Sequence, residues 1–298
     1  MQPFIGSLKA RPRLTQKVLV AAVVVLFLGH LTLYLTMQRW ESGIGKVLSN
    51  PLNVLLLGVD EPNLDAQGEL ELPRTDTMLF LAVRPDQGRV GLFSIPRDSL
   101  VEIPGFGMER INMAHVYGGY DLTKDLVEKI MEMPVDRYLM LNFQSFEEIV
   151  DLVGGVEVTV DKRMLYEDQA AGLRIDLQPG RQTLKGDQAL GYVRYRRDPL
   201  GDITRTQRQQ QFMAALVHKL KEGATIRRVL ANLPKALAIG NEYVRTDLEI
   251  IELAGLYLFF KDLDLQENLH TFTLPGEFSG PYWRLLPREI EHLTTSYR

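Results

Sequence analysis

Hydrophobic runs divide the chain into one long apolar segment and a series of shorter strands and helices. The long segment spans residues 18–38, contains no charged side chain and is 21 residues long. As a helix it would measure about 31 Å, which suits a bilayer core of roughly 30 Å. A cleaved signal peptide is the alternative, but the apolar run is longer than a typical signal sequence carries. We therefore expect a single N-terminal transmembrane helix.

The charges beside this segment predict its orientation. Lys9, Arg11, Arg13 and Lys17 precede it without any acid, whereas acids and bases nearly balance after it. The positive-inside rule then makes residues 1–17 a cytoplasmic N-terminus. Residues 39–51 are a linker, and we expect everything after it to lie outside the cell.

Three short apolar runs follow the linker and predict strands at residues 53–59, 77–84 and 89–95. The turn sequence Pro85–Gly88 joins the second and third runs as an antiparallel hairpin. If the first strand also pairs antiparallel with the second, the charged residues at three strand ends fall on one edge of the sheet. These are Asp60, Arg74, Asp76, Arg97 and Asp98.

Helical and strand patterns alternate along the rest of the chain. Helices are predicted at 121–133, 145–153 and 204–221, a strand at 156–160, and a short helix or strand at 189–195. Residues 223–298 hold about two more helices and a strand at 269–274. We expect an α/β domain over 52–222, with a mixed, partly antiparallel central sheet flanked by helices, and a C-terminal helical extension over 223–298 that packs on it.

Composition excludes several classes of protein. The 298 residues carry a net charge of −4 and no cysteine, which rules out disulfide scaffolds, thiolate metal sites and cysteine nucleophiles. A sequence pI near 5.8 gives no electrostatic reason to expect nucleic-acid binding. The signatures of zinc proteases, α/β-hydrolases and nucleotide-binding loops are absent from the sequence.

An arginine cluster between Arg194 and Arg208 is the densest polar feature. It holds five arginines, two aspartates and no lysine. Guanidinium groups match phosphate oxygens bidentately and stay charged when desolvated. Arg205, Arg208 and Gln209 follow helical spacing and would share one face. A solvated, salt-bridged surface is the alternative, but the cluster continues through Pro199-Leu200-Gly201, where a helix is not expected.

Asp60 and Asp76 can be read as a hard-cation site or as strand-end caps. Mg²⁺ prefers one or two carboxylates, with water and phosphate oxygens completing its shell. Two carboxylates beside several arginines would therefore suit phosphoryl transfer. Asn112 could contact a phosphate or sugar, although a turn-capping role is equally open, and His115 more often has a structural role.

The order of the motifs resembles one known family. The chain reads GVDE at 58–61, RTDTM at 74–78, SIPRDS at 94–99, a spaced IN…A…GG at 111–119, VDLVGGVEVTV at 150–160, YVRYR-x-DPLGD at 192–202 and R-x-x-RQQQ at 205–211. This co-linear set, behind an N-terminal apolar segment, resembles the LytR-CpsA-Psr family of membrane-anchored, extracytoplasmic glycopolymer transferases. One departure concerns histidine, because many relatives read Ile-Asn-His-Ala whereas this chain has its histidine two positions later, at His115.

The resemblance implies an activity and a set of site residues. Such proteins transfer a glycopolymer with one phosphate from a polyprenyl-pyrophosphate carrier to a cell-wall acceptor, typically a peptidoglycan hydroxyl. They use Mg²⁺, for which Mn²⁺ could substitute, and hold the prenyl chain in an apolar cavity of the α/β core. Asp60 and Asp76 match the metal ligands. The pyrophosphate-binding positions are Arg97, Arg194, Arg196, Arg205 and Gln209, with Arg74 and Arg208 less firmly placed. Asp198 or Asp202 would accept the acceptor proton or orient arginines.

Two other functions remain open on the sequence alone. The same site could hydrolyse a polyprenyl-pyrophosphate-linked substrate, with water replacing the acceptor hydroxyl. A non-catalytic, lipid-binding regulatory membrane protein is the other possibility. The expected extracytoplasmic placement of the arginines argues against nucleic acid as a partner.

Overall fold

The computed structural model describes residues 50–60, 72–168, 173–198 and 202–298. Its strands are Leu52–Val59 (β1), Thr75–Arg84 (β2), Arg89–Ser94 (β3), Leu100–Ile103 (β4), Gly107–Arg110 (β5), Arg137–Leu141 (β6), Val156–Val160 (β7), Met164–Asp168 (β8), Leu173–Leu177 (β9), Gly180–Leu184 (β10), Val244–Thr246 (β11), Leu269–Thr273 (β12), Gly276–Ser279 (β13) and Tyr282–Leu285 (β14). Its helices are Ala114–Met131 (α1), Phe143–Val153 (α2), Gly186–Arg194 (α3), Asp202–Lys221 (α4), Gly223–Ala231 (α5), Leu233–Tyr243 (α6), Ile250–Asp262 (α7), Leu265–Asn268 (α8) and Pro287–Thr295 (α9).

A six-stranded sheet in the order β11-β6-β1-β2-β3-β12 is the centre of the fold. The β1–β2 and β2–β3 pairs are antiparallel, whereas β1–β6 and β3–β12 are parallel. The predictions of a mixed α/β sheet, of the three first strands and of their antiparallel pairing are confirmed. This pairing brings the end of β1, the start of β2 and the end of β3 to one edge.

Alternation along the strands builds the main core on one face of the sheet. Leu55 and Leu57 of β1 and Phe80 of β2 are fully or almost fully buried on this face. Val127 of α1 and Ile290 of α9 belong to the same cluster, so these two helices cover the sheet there. Period-two alternation of buried positions explains why these strands hold one register.

A second core joins β7 and β9 to helices α2, α3 and α4. Phe146 of α2 and Phe212 of α4 pack with ring centroids 5.3 Å apart. Gly186 begins α3 directly against α2, where a Cβ atom would lie 2.7 Å from the Glu147 carbonyl oxygen. Only glycine allows this approach, and it holds the start of α3 close to α2.

Some elements differ from the sequence predictions. The helix expected over 121–133 begins earlier, at Ala114, and is interrupted by non-helical backbone at Gly118 and Gly119. Residues 223–298, expected as a helical extension with about two helices, contain α5 to α9 and also place β11 and β12 at the two edges of the central sheet. The strand predicted at 269–274 is present as β12, but the extension holds five helices rather than about two. The pairing of β12 with β3 is not predicted, because it is a contact distant in sequence that local patterns cannot reveal.

Within the described ranges, no helix has both the length and the apolar character needed to cross a membrane. The predicted span at 18–38 and its flanking segments lie outside those ranges, and so does most of the loop after Asp60.

Candidate active site

A β-bulge places Asp76 at the edge of the sheet where β1 ends and β2 begins. Gly58 is opposite Thr77 and Val59 is opposite Thr75, so Asp76 is an extra residue in β2 without a partner on β1. Bulges of this kind redirect side chains and are frequent beside active sites. The Asp60 amide then donates to the Arg74 carbonyl oxygen at 3.1 Å, which places Asp60 beside the start of β2. The two predicted metal ligands therefore lie on neighbouring strand ends.

Two arginines from separate elements bind the Asp76 carboxylate. Arg97, which follows β3, donates from Nη1 to Oδ1 at 2.7 Å, and Arg196, between α3 and α4, lies 3.2 Å from Oδ2. Burial by itself raises the pKa of Asp76, but Arg97 first, then Arg205 and Arg196, outweigh burial and hold this pKa below its ordinary value. Asp76 is accordingly a carboxylate at neutral pH.

Helix α4 docks onto the same strand end through Arg205 and Gln209. Arg205 is almost completely buried and donates to the Asp76 carbonyl oxygen at 3.3 Å. One turn later, Gln209 donates to the Thr77 hydroxyl at 3.0 Å. Their i, i+4 spacing puts both on one helix face, as the sequence predicts. Three guanidinium groups therefore lie around Asp76, and the Asp98 carboxylate also lies 3.7 Å from Arg97 Nε.

The Arg208 side chain, expected beside Arg205 and Gln209, binds Asp198 and not Asp76. Its Nη1 lies 2.6 Å from Asp198 Oδ2, and both side chains are almost completely buried. The Lys162 ammonium group binds the other oxygen of Asp198. Burial by itself raises the pKa of Asp198, but its bonds to Lys162 and Arg208 outweigh burial and lower it. A carboxylate occupied by two cations is a poor proton acceptor, so this geometry favours the orienting role for Asp198 over the role of general base.

The other predicted site residues are placed differently. The Arg194 guanidinium lies 4.1 Å from the ring centroid of Phe143. Arg74 is exposed at the start of β2. Asp202 begins α4, and its side chain lies outside what the structure describes.

Asn112, just before α1, and His115, in its first turn, contact the backbone of Arg97 and of Pro73 beside Arg74. Asn112 is 2% exposed, and its backbone N–H donates to the Arg97 carbonyl oxygen at 3.2 Å. Within the described residues, its side-chain Oδ1 has no hydrogen-bond partner. His115 is buried with Nδ1 at 2.7 Å from the Pro73 carbonyl oxygen, and burial lowers its pKa. The neutral ring thus donates to the backbone just before Arg74, a structural role that the sequence left unassigned.

The donor set fits a hard divalent cation that also binds phosphate. Among the described residues no group of three or more histidine or acidic side chains could hold a metal ion. Mg²⁺ needs only one or two carboxylates when phosphate oxygens and water supply the remainder. Each carboxylate oxygen accepts more than one contact, so the Asp76 carboxylate could still act as a ligand while it binds Arg97, and Asp60 would be the second carboxylate ligand.

A cavity of about 800 Å³ lies between α4 and the β12 edge of the sheet. Its lining combines Gln210, Gln211 and Thr273 with apolar side chains such as Leu265 and Leu269. The lining is therefore more polar than the cavity expected for a prenyl chain. Leu265 and Leu269 also belong to a hydrophobic cluster between the sheet, α4 and α7, against which the partly buried side chains of Leu81, Val217 and Phe259 pack.

The LytR-CpsA-Psr family model matches residues 38–296, which is most of the chain. The protein belongs to this family. The match continues well past the predicted catalytic domain and includes strands β11 and β12, which complete the sheet.

Individual relatives show what this family does elsewhere. The protein is 36% identical over 249 residues to the polyisoprenyl-teichoic acid–peptidoglycan teichoic acid transferase TagU of Bacillus licheniformis, with 83% of this chain and 76% of the relative covered. It is 30% identical over 260 residues to the corresponding TagT of Bacillus subtilis, with 84% and 78% covered. The solved structure of YwtF (TagT) with bound octaprenyl pyrophosphate lipid superimposes with a TM-score of 0.61 at 27% identity, covering 85% of this chain and 90% of that one.

Proposed function

We propose that this protein is a phosphotransferase that moves a glycopolymer with one phosphate from a polyprenyl-pyrophosphate carrier to a hydroxyl group of peptidoglycan or another envelope acceptor. The arginine set around Asp76 carries this proposal, because Arg97 and Arg196 bind its carboxylate and Arg205 binds its backbone carbonyl oxygen, each from a separate part of the fold. The relatives named as teichoic acid transferases, and the relative with bound octaprenyl pyrophosphate, support it.

The arginines would hold the pyrophosphate and neutralise the charge that develops as the phosphoanhydride bond breaks. Arg97 and Arg196 are partly exposed, so a phosphate can reach their guanidinium groups from solvent. Arg205 and Gln209 hold α4 against β2 and keep the site rigid. Such prearranged donors act without reorganisation during the reaction.

Asp60 and Asp76 would hold Mg²⁺ or Mn²⁺ together with substrate phosphate oxygens. Such an ion supplies Lewis-acid polarisation of the phosphate and neutralises its charge. Asp76, whose pKa is held below its ordinary value, is already deprotonated for this task.

The proposal includes a location and a lipid path. The uncharged stretch at 18–38 would anchor the chain in the cell membrane with its N-terminus in the cytoplasm and its catalytic domain outside. The prenyl chain would pack against apolar side chains between the sheet, α4 and α7, including Leu81, Val217 and Phe259.

Product analysis of the full chain in detergent tests the function. With Mg²⁺, a polyprenyl-pyrophosphate-linked glycan and peptidoglycan, we expect a glycan–phosphate–peptidoglycan adduct and one polyprenyl phosphate for each transfer. Free glycan phosphate without an adduct would instead identify a hydrolase. Lipid binding without turnover would overturn an enzymatic function.

A further inference from the structure

The segment Tyr195–Asp198 is the described part of the connection between α3 and α4, and it carries Arg196, one of the two arginines on the Asp76 carboxylate. Loops are more mobile than the helices they connect unless side chains fix them. Here the first and last residues of Tyr195–Asp198 are buried, because Tyr195 is 6% exposed in the second core and the Asp198 side chain is 5% exposed.

Two cations from different elements hold this segment. Arg208 of α4 binds Asp198, donates to the Tyr195 carbonyl oxygen and lies 5.3 Å from the centroid of the Tyr195 ring. Lys162, in the turn between β7 and β8, binds the other Asp198 oxygen and lies 5.8 Å from the same ring centroid. Each cation therefore contacts both ends of the segment.

We propose that Lys162 is a positioning residue that acts through Arg196. By binding Asp198, Lys162 holds the segment against the β7–β8 turn, and this keeps the Arg196 guanidinium at Asp76, where the pyrophosphate is expected. The proposal rests on the proposed function, since it assigns Lys162 a part in that reaction. Lys162 itself contacts neither substrate nor metal in this scheme.

Lys162 is better suited than Arg208 to a mutational test of this role, because its side chain is much less buried. Loss of Arg208 would remove a buried guanidinium group together with its bonds to Asp198 and to the Tyr195 carbonyl oxygen, and so disturb the fold. The Lys162 side chain is 46% exposed, so its removal leaves the buried Asp198–Arg208 pair in place. Lys162 keeps contact with solvent, which screens its attraction to Asp198, so its loss should cost less stability than the loss of Arg208. A mutation here should therefore change activity much more than stability.

The test uses Lys162→Met and Lys162→Arg in the full chain. We expect Lys162→Met to lower kcat/KM for the lipid pyrophosphate by about tenfold, because small displacements of a binding group are costly. Lys162→Arg should restore most of the activity, since it keeps the charge. Arg181→Met removes another exposed ion pair of the same β7–β10 unit, with Glu157, and should match the wild type.

A mutant cycle with Arg196→Ala separates positioning from a general structural role. If Lys162 acts through Arg196, Lys162→Met should cause no further loss in the Arg196→Ala background. Full activity of Lys162→Met, an equal loss in both backgrounds, or a large fall in its unfolding midpoint would overturn the proposal.

The affinity for octaprenyl pyrophosphate is a second measurement on the same variants. Lys162→Met should lower this affinity only when Arg196 is present. If the wild type binds this lipid but transfers nothing, the proposed function fails, whereas the Lys162 proposal is still decided by the binding cycle.

Discussion

The Arg97 guanidinium donates to the Asp76 carboxylate at 2.7 Å, although 20 residues separate them in sequence. Arg97 follows β3 and Asp76 is the second residue of β2, so the antiparallel β2–β3 hairpin brings the two together. This ion pair is the centre of the proposed pyrophosphate site, and four predictions follow from its surroundings and from the sheet that carries it.

Substitution of Arg97 should abolish transfer without unfolding the protein. We expect Arg97→Ala to lower kcat/KM by about a hundredfold or more, because a prearranged donor to the phosphate is lost. Arg97→Lys keeps the charge but loses the bidentate fork, so its activity should be intermediate. Full activity of Arg97→Ala, measured beside an unchanged unfolding midpoint, would contradict the assigned site.

The contribution of Asp76 to stability should depend on pH. Because the pKa of Asp76 is lowered in the folded protein, its ionised form stabilises the fold above the ordinary pKa of 3.8. That contribution is lost as the pH falls through the folded-state pKa. The wild type should therefore be more stable than Asp76→Asn at neutral pH, and the difference should shrink below about pH 4.

Urea unfolding at several pH values measures this difference. Glu277→Gln is a matched control, because Glu277 pairs with Arg284 at an exposed site and should have little effect at any pH. An Asp76→Asn difference that persists unchanged into acid would show that the carboxylate charge does not stabilise the fold.

Removal of divalent cations should stop transfer. We expect EDTA to abolish activity and Mg²⁺ or Mn²⁺ to restore it. Asp60→Asn should raise the Mg²⁺ concentration needed for half-maximal activity by about tenfold, since one carboxylate ligand is lost. Asp86→Asn is the control, because Asp86 is exposed in the turn at the opposite end of the β2–β3 hairpin. If Asp60→Asn and Asp86→Asn needed the same Mg²⁺ concentration for half-maximal activity, the assignment of Asp60 as a metal ligand would be wrong.

Loss of Arg84 should destabilise the protein without changing the chemistry of the folded fraction. Arg84 is buried at the far end of β2, where it donates to Asn53 Oδ1 at 2.9 Å and to the Tyr297 carbonyl oxygen near the C-terminus. We expect Arg84→Met to lower the free energy of unfolding by about 2 to 4 kcal/mol, because these acceptors lose a charged donor. The exposed Arg284→Met should change it by less than about 0.5 kcal/mol. A stable Arg84→Met protein would contradict this role.

Much of the active-site edge could be predicted from local patterns. Alternating apolar runs and the Pro85–Gly88 turn predict the β2–β3 hairpin, and antiparallel pairing then brings Asp60, Asp76 and Arg97 to one edge. Helical spacing likewise predicts that Arg205 and Gln209 share a face. These inferences succeed because they depend on residues that are near in sequence.

Distant contacts could not be predicted in this way. Local patterns predict the strand at 269–274, but they do not show that it pairs with β3, because the two strands lie about 180 residues apart in sequence. Spacing alone placed Arg208 with Arg205, but the structure turns it toward Asp198. Lys162 carries no sequence signal at all, because its partner Asp198 comes from another element.

The sequence by itself determined the family, the strand order around the first hairpin and the type of chemistry, since motif order and residue type are local properties. Only the tertiary structure decided how the charges are shared. The bulge directs Asp76 toward three guanidinium groups, whereas burial pairs Asp198 with Lys162 and Arg208. A buried charge requires a partner, and which residue becomes that partner depends on packing between segments that are far apart in sequence.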